Sequence, residues 1–399
     1  MLDRAIDLGL VEQLDLAPLR HGPLDKLRFT VKDNIDIAGH KTSYGSPAWR
    51  NAHPAPVHNA LCVDQLLAAG ARCVGKAVAD EFTYSLDGES FHFGTPRNAK
   101  APDRIPGGSS SGSAASVANG IADFSLCTDA GGSIRVPASL CGLWGMRPST
   151  HRISEAGVLP FQPSVSTVGV LAERLDVLDA AMRVMLNGPA APPPSPGRII
   201  ILEDAMSIAS PAVQDQAASA LERIASRAGL ALERVRFSEI IGEQSELSAC
   251  NLNGLRDLQT AEFQSTVGNW IEACKPELGF TFSMAYGNVQ RFDRIAALDR
   301  LANRERLFRQ INAFFTPDTV ISFPTTPTIA PRKGSLNTLE AVMAFYDPAM
   351  TITAFSGAAR LPEISAPLLS VEDCPVGLSF VAGNYQDEFL LNAVRELLI

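Results

Sequence analysis

The run PGGSSSGSAAS at residues 106–116 decides how this chain is read. Serine and glycine tracts are commonly flexible linkers. This one passes directly into AASVANGIADFSLC (114–127), which is uncharged until Asp123, so it enters a core rather than joining two. Its Ser109 stands 24 positions before Ser133 in TDAGGSIRVPAS (128–139), and both follow Lys32 in FTVKDN (29–34).

Each of the three supplies something that acyl transfer needs. A serine hydroxyl barely ionises at neutral pH and requires a base to take its proton during attack on a carbonyl. Lys32, next to the apolar Phe29 and Val31, is that base if burial keeps it neutral, because desolvation disfavours the ammonium form. Ser109 is the intervening hydroxyl that passes the proton from Ser133 to Lys32. Around the nucleophile, Asp129, Ala130, Gly131 and Gly132 carry little bulk, which leaves backbone N–H groups free to face an oxyanion. One such donor is typically worth about 3–4 kcal/mol in the transition state. Pro137 suits the first turn of a helix, which sets Ser133 at a turn-to-helix junction.

Working outward, short β-branched runs alternate with helical stretches, as in RFTVK, ALCVDQLLAAGA and RCVGK. That is the pattern of an α/β sheet protein. Helical periodicity predicts helices over 174–186, 211–228, 295–315 and 387–398; RIIILED, LERVRF, DTVISFP and VGLSFVA read as strands. GPAAPPPSPG (188–197) is too proline-rich to be helical and is expected to cross the surface.

The 399 residues, 46% of them hydrophobic, are ample for a large core, and a net charge of −9 argues against a nucleic-acid or anionic-membrane partner. Small neutral substrates fit better. The N-terminal stretch is too acidic for a signal peptide and no run of 18 apolar residues occurs; a cytoplasmic protein without membrane association is expected. The seven cysteines lack CxxC spacing and the six histidines lack HExxH or HxH spacing, so free thiols and ordinary histidines are expected, with no metal site. No GxSxG elbow is present. The Asp80–Glu81 pair is expected to brace a loop. Asp33, Asp129, Ser110 and Arg135 are expected to support the site, Arg135 with a lesser chance of meeting a substrate carboxylate.

VKDN around Lys32, PGGSSSGSAAS and TDAGGSIRVPASLCGLWGMRPS (128–149) together resemble the amidase signature family. DEFTYSLDGESFHFGTPRN (80–98), LPEISAPLL (361–369) and CPVGLSFVAGNYQDEFLL (374–391) extend the resemblance over nearly the whole chain. It implies a mixed central sheet covered by helices on both faces, in a single domain over 1–399 with a variable pocket region at about 198–317. It further implies an acyl-enzyme on Ser133, Ser109 bridging through a cis peptide, Lys32 as general base and acid, and an oxyanion hole from the backbone amides of Ala130, Gly131, Gly132 and Ser133, with no cofactor. Two departures stand out. Ala130 replaces a threonine or β-branched residue, and Ser111 replaces a glycine of the usual serine tract.

The wording at 83–98 looks like that of compact indole-3-acetamide hydrolase-type amidases, which implies a small amide substrate, arylacetamide or aliphatic; a homodimer would be ordinary for such an enzyme. Substrate choice is expected to reside in 198–317 and around Thr83–Phe93. Two alternatives remain: the glutaminase subunit of a tRNA-dependent amidotransferase, and a non-catalytic binding protein on this fold, as in chloroplast import receptors with helical repeats. The second predicts loss of the lysine or a serine, and added repeats; all three residues are present and no 34-residue repeat occurs.

Overall fold

The computed structural model describes residues 2–187, 194–291 and 296–399. Its strands are β1 (Leu10–Leu16), β2 (Arg28–Lys32), β3 (Arg72–Ala77), β4 (Phe124–Asp129), β5 (Trp144–Arg147), β6 (Thr167–Ala172), β7 (Arg198–Leu202), β8 (Leu232–Val235), β9 (Thr319–Pro324), β10 (Glu363–Val371) and β11 (Cys374–Val381). They form one 11-stranded sheet in the order β1-β3-β2-β4-β6-β5-β10-β11-β9-β7-β8. It is mixed: β2 runs parallel to β3 and β4, and β7 parallel to β8 and β9, while β4–β6, β5–β6, β5–β10, β10–β11 and β9–β11 are antiparallel. Strands from both sides of the 188–197 segment therefore share the sheet.

Side chains alternate across a strand, and β7 shows what that alternation buries. Ile199 and Ile201 join a core with the helices Leu61–Ala68, Leu175–Leu186, Pro211–Ala228 and Asp387–Leu398; Ile200 and Leu202 join a second core with Phe237–Ile241, Ala296–Phe314 and Leu339–Ala359. The sheet is thus covered by helices on both faces, as expected. The same alternation turns Phe29 and Val31 of β2 into the first core and sends Thr30 and Lys32 to the opposite side, where Thr30 Oγ1 meets Ser116 Oγ of the helix Ser111–Ala118 at 2.8 Å.

The helices read from periodicity are present within a residue at each described end. Ile295 lies outside the described residues, as do 188–193 of the expected surface crossing. Two strands end early: Phe237, expected to end LERVRF, opens the helix Phe237–Ile241, and Glu203 and Asp204, expected to continue RIIILED, open the helix Glu203–Ile208, where acidic side chains are favoured by the positive end of the helix dipole. Six of the cysteines are buried free thiols and Cys274 is an exposed one. Among the described residues no helix is long and apolar enough to cross a membrane, and no three His, Cys, Asp or Glu side chains gather as metal ligands.

Candidate active site

Lys32 ends β2, and Thr128 and Asp129 end the neighbouring β4. Because these strands are parallel, both C-terminal ends deliver their side chains to the same rim of the sheet. Lys32 is fully buried, and its Nζ donates to Ser109 Oγ at 2.8 Å and to Thr128 Oγ1 at 3.1 Å. Ser109 Oγ donates in turn to Ser133 Oγ at 2.9 Å. Desolvation pushes the lysine down from 10.5 to about 8, although Cys127, Asp80 and Asp129 pull the other way. The three predicted residues therefore lie on one hydrogen-bonded line whose basic end loses its proton two to three orders of magnitude more readily than a lysine in water.

Ser109 is held by the turn before the helix Ser111–Ala118, through a cis Gly108–Ser109 peptide. A Cβ on Gly108 would fall 1.9 Å from Asp80 Oδ2, so only glycine fits. That carboxylate organises the tract. It accepts from Ser111 Oγ (2.7 Å), Gly88 N (3.1 Å) and Ser85 Oγ. The serine at position 111, a departure from the family wording, is thereby a ligand of the brace. Burial raises Asp80 above the usual carboxylate range. Ser110 is buried, with its Oγ directed at Thr128 O (3.4 Å).

The turn carrying Ser133 is held from beneath by Asp129. Its carboxylate accepts from the amides of Gly132 (3.1 Å) and Ile134 (2.9 Å), from Arg135 Nε and Nη2, and from Arg147 Nη1. Burial works against its charge, yet the Arg135 and Arg147 guanidiniums hold its carboxyl well below the usual range. Arg135 also reaches Glu363 Oε2 at 2.7 Å, and all four side chains have no exposed surface. Two cations and two anions make the cluster neutral. Arg135 is thus a support, and the lesser expectation that it meets substrate is not met: every guanidinium nitrogen is engaged within the protein. Asp33 is likewise structural, paired with buried Lys76 at 2.8 Å and accepting from the Ser43 amide at 3.1 Å.

Of the four amides expected in the oxyanion hole, that of Gly132 is turned back onto Asp129, so the expectation is corrected at this position. The amides of Ala130, Gly131 and Ser133 have no protein acceptor among the described residues. Gly132 sits at φ +129°, and a Cβ there would stand 3.1 Å from Thr353 Cγ2. Thr353 Oγ1 donates to Gly131 O at 2.7 Å, fixing the turn from the side opposite Asp129.

Ser133 opens into a cavity of about 520 Å³. Thr83–Leu86, Phe161 and Gly131 line one side; Arg256, Gln259, Thr260, Thr281, Met284 and Ala285 come from the predicted pocket region. A third wall, Leu339, Val342, Met343, Tyr346, Asp347 and Met350, belongs to the helix Leu339–Ala359 and was not anticipated. Its apolar spacing reads equally well as core. Thr128, Arg147, Thr353 and Glu363 were also missed, since a threonine in a strand or helix, or a charged residue at one end of a strand, carries no local sign of its partner.

Comparison with known proteins agrees with the geometry. The sequence profile of the family described as Amidase matches residues 12–391. Amidase 1 of Arabidopsis thaliana is 33% identical over 398 residues, covering 94% of this chain and 93% of that protein. The translocon at the outer membrane of chloroplasts 64 of Pisum sativum is 30% identical over 395 residues, covering 94% of this chain but only 66% of that protein. A solved structure described as the crystal structure of an amidase superposes with a TM-score of 0.80 at 26% identity, covering 94% of this chain and 85% of the other.

Proposed function

The chain belongs to the amidase family, and on that premise we propose that it hydrolyses a small carboxylic amide through an acyl-enzyme on Ser133. The observation that carries this reading is the unbroken line Lys32 Nζ–Ser109 Oγ–Ser133 Oγ, at 2.8 and 2.9 Å, opening on a cavity. With Lys32 neutral, the hydroxyl protons rotate and the line reverses: Ser133 donates to Ser109, and Ser109 donates to Nζ. Ser133 Oγ attacks the carbonyl carbon as its proton passes through Ser109 to Lys32. The tetrahedral oxyanion forms against the amides of Ala130, Gly131 and Ser133. Its collapse breaks the C–N bond, and the proton returns from Lys32 through Ser109 to the nitrogen, which leaves as ammonia. Water then attacks the ester by the same relay in reverse and releases the acid.

The whole of residues 1–399 acts as one catalytic unit in this reading, supported by the single sheet. The lining supports an amide with an apolar, ring-sized acyl group, such as an arylacetamide. Leu86, Met284, Val342, Met343 and Met350 offer apolar surface and Tyr84 meets Phe161 edge-on at 5.1 Å. A cavity of about 520 Å³ lies within the ordinary range for small-molecule sites. The likeness to a chloroplast translocon component favours a second reading, a binding protein on the same fold; the intact buried relay supports catalysis instead.

Ammonia release from indole-3-acetamide, phenylacetamide, benzamide, short aliphatic amides and glutamine tests the proposal, run beside Ser133→Ala and Lys32→Ala. Turnover lost in both variants is expected, together with fluorophosphonate labelling of Ser133 in the wild type. A wild type that releases no ammonia and takes no label would leave the binding-protein reading.

A further inference from the structure

A carboxamide lies close to the reacting centre within the cavity. The helix Asp257–Phe263 follows directly on the π-helical turn Cys250–Arg256, and helical spacing sets Arg256, Gln259 and Thr260 on one side. All three line the cavity. Thr260 Oγ1 spends its proton on the Arg256 carbonyl at 3.0 Å. Gln259 is only 6% exposed. Its Oε1 lies 4.0 Å from the point where a Cβ on Gly131 would stand, beside Met350 Cε at 3.9 Å. The Tyr84 side chain lies beside it, and no hydrogen bond of normal geometry engages the carboxamide among the described residues.

A primary carboxamide group offers two donors and two acceptor positions, and a buried polar atom left without a partner is costly. Here the open side of that group is turned toward Gly131, whose own amide is one of the free donors for the oxyanion. A substrate carbonyl seated there brings its leaving group within the same small volume. In an amide, that leaving group carries N–H donors; in an ester it carries none and presents lone pairs instead. We propose that Gln259 is a substrate-positioning residue whose Oε1 accepts an N–H of the scissile carboxamide, so that the site favours primary amides over esters of the same acid. The assignment rests on Ser133 being the nucleophile.

The test compares kcat/KM for a primary amide and for the methyl ester of the same acid, in wild type, Gln259→Leu and the unbranched Gln259→Met. Fluorophosphonate labelling of Ser133 is measured in each. A lost hydrogen bond to a buried polar partner of this kind corresponds to a fall of about 10- to 100-fold on the amide; the ester is expected to change by less than about threefold, with labelling retained. Amide and ester falling together in both variants would overturn the proposal in favour of a structural role, and so would an unchanged amide rate. A wild type that neither labels nor cleaves the ester would overturn the Ser133 reading itself, a result separable from failure of the Gln259 assignment.

Discussion

Arg135 Nη1 lies 2.7 Å from Glu363 Oε2, joining positions 228 residues apart inside a cluster that water does not reach. The same guanidinium clasps Asp129, so the turn bearing Ser133 is tied to the start of β10. Removing one member of a buried ion pair strands its partner's charge and typically costs about 3–5 kcal/mol. Arg135→Met should therefore lower the unfolding free energy measured by denaturant titration by that amount, whereas substitution of the exposed Arg174, paired with Asp176 at the surface, should change it by less than about 1 kcal/mol.

In the proposed mechanism the relay functions as a base only when Lys32 is neutral. Since burial brings its proton loss down to about 8, kcat/KM is expected to rise with pH through a limb centred near that value. Lys32→Ala should abolish the limb along with most of the rate. A wild-type profile flat between pH 6 and 9 would count against Lys32 as the base.

The same lysine weakens the fold. Unfolded, it holds its proton up to 10.5; folded, only to about 8. Below pH 8 the folded state therefore carries a penalty of about 3 kcal/mol at 1.36 kcal/mol per pH unit. This penalty fades as pH rises from 8 to 10.5, because there the unfolded chain binds more protons. Lys32→Met is expected to be inactive yet more stable at pH 7, and its thermal-midpoint advantage over wild type should shrink across that window.

Adjacent glycines should respond differently. Alanine at Gly132 must adopt φ +129° against Thr353, a strain on the order of 1–3 kcal/mol, and its fluorophosphonate labelling should slow by about tenfold or more as the nucleophile is misplaced. Alanine at Gly131 meets only ordinary contacts, 3.9 Å from Met350 Cε. Gly131→Ala should keep wild-type stability and lose turnover first on the bulkier amides.

What the sequence made legible was the part built from local necessity. Ser109 and Ser133 stand in glycine-rich turns where Gly108 and Gly132 leave no room for a side chain, and Lys32 ends an alternating strand whose other face is core. The helix Pro211–Ala228 repeats its apolar positions with helical period. What escaped notice depends on distant partners. Arg135 was legible as a support but its partner Glu363 was not, and Arg147 drew no expectation, because Glu363 and Asp129 are brought to these guanidiniums only by the sheet order. Gly132 reads as one more free amide in the sequence, but in the fold it donates its hydrogen bond to Asp129. The wall formed by Leu339–Met350 and the carboxamide of Gln259 lie in segments whose apolar spacing is that of any packed helix.

The adjacency of β2 and β4 has a consequence for how such a molecule can diversify. Neighbouring strands are spaced about 4.8 Å apart by backbone hydrogen bonds, and those bonds do not depend on side-chain identity. The distance between the strand that ends in Lys32 and the strand that leads into Ser133 is in effect ruled by the sheet. Two stretches of the cavity wall, by contrast, residues 256–285 and 339–350, draw their lining from helices that contribute nothing to that ruler. Exchanging Met284 or Met343 can retune what is accepted while leaving Lys32, Ser109 and Ser133 in register, so invention at the rim and constancy at the centre are built from separate pieces of the chain.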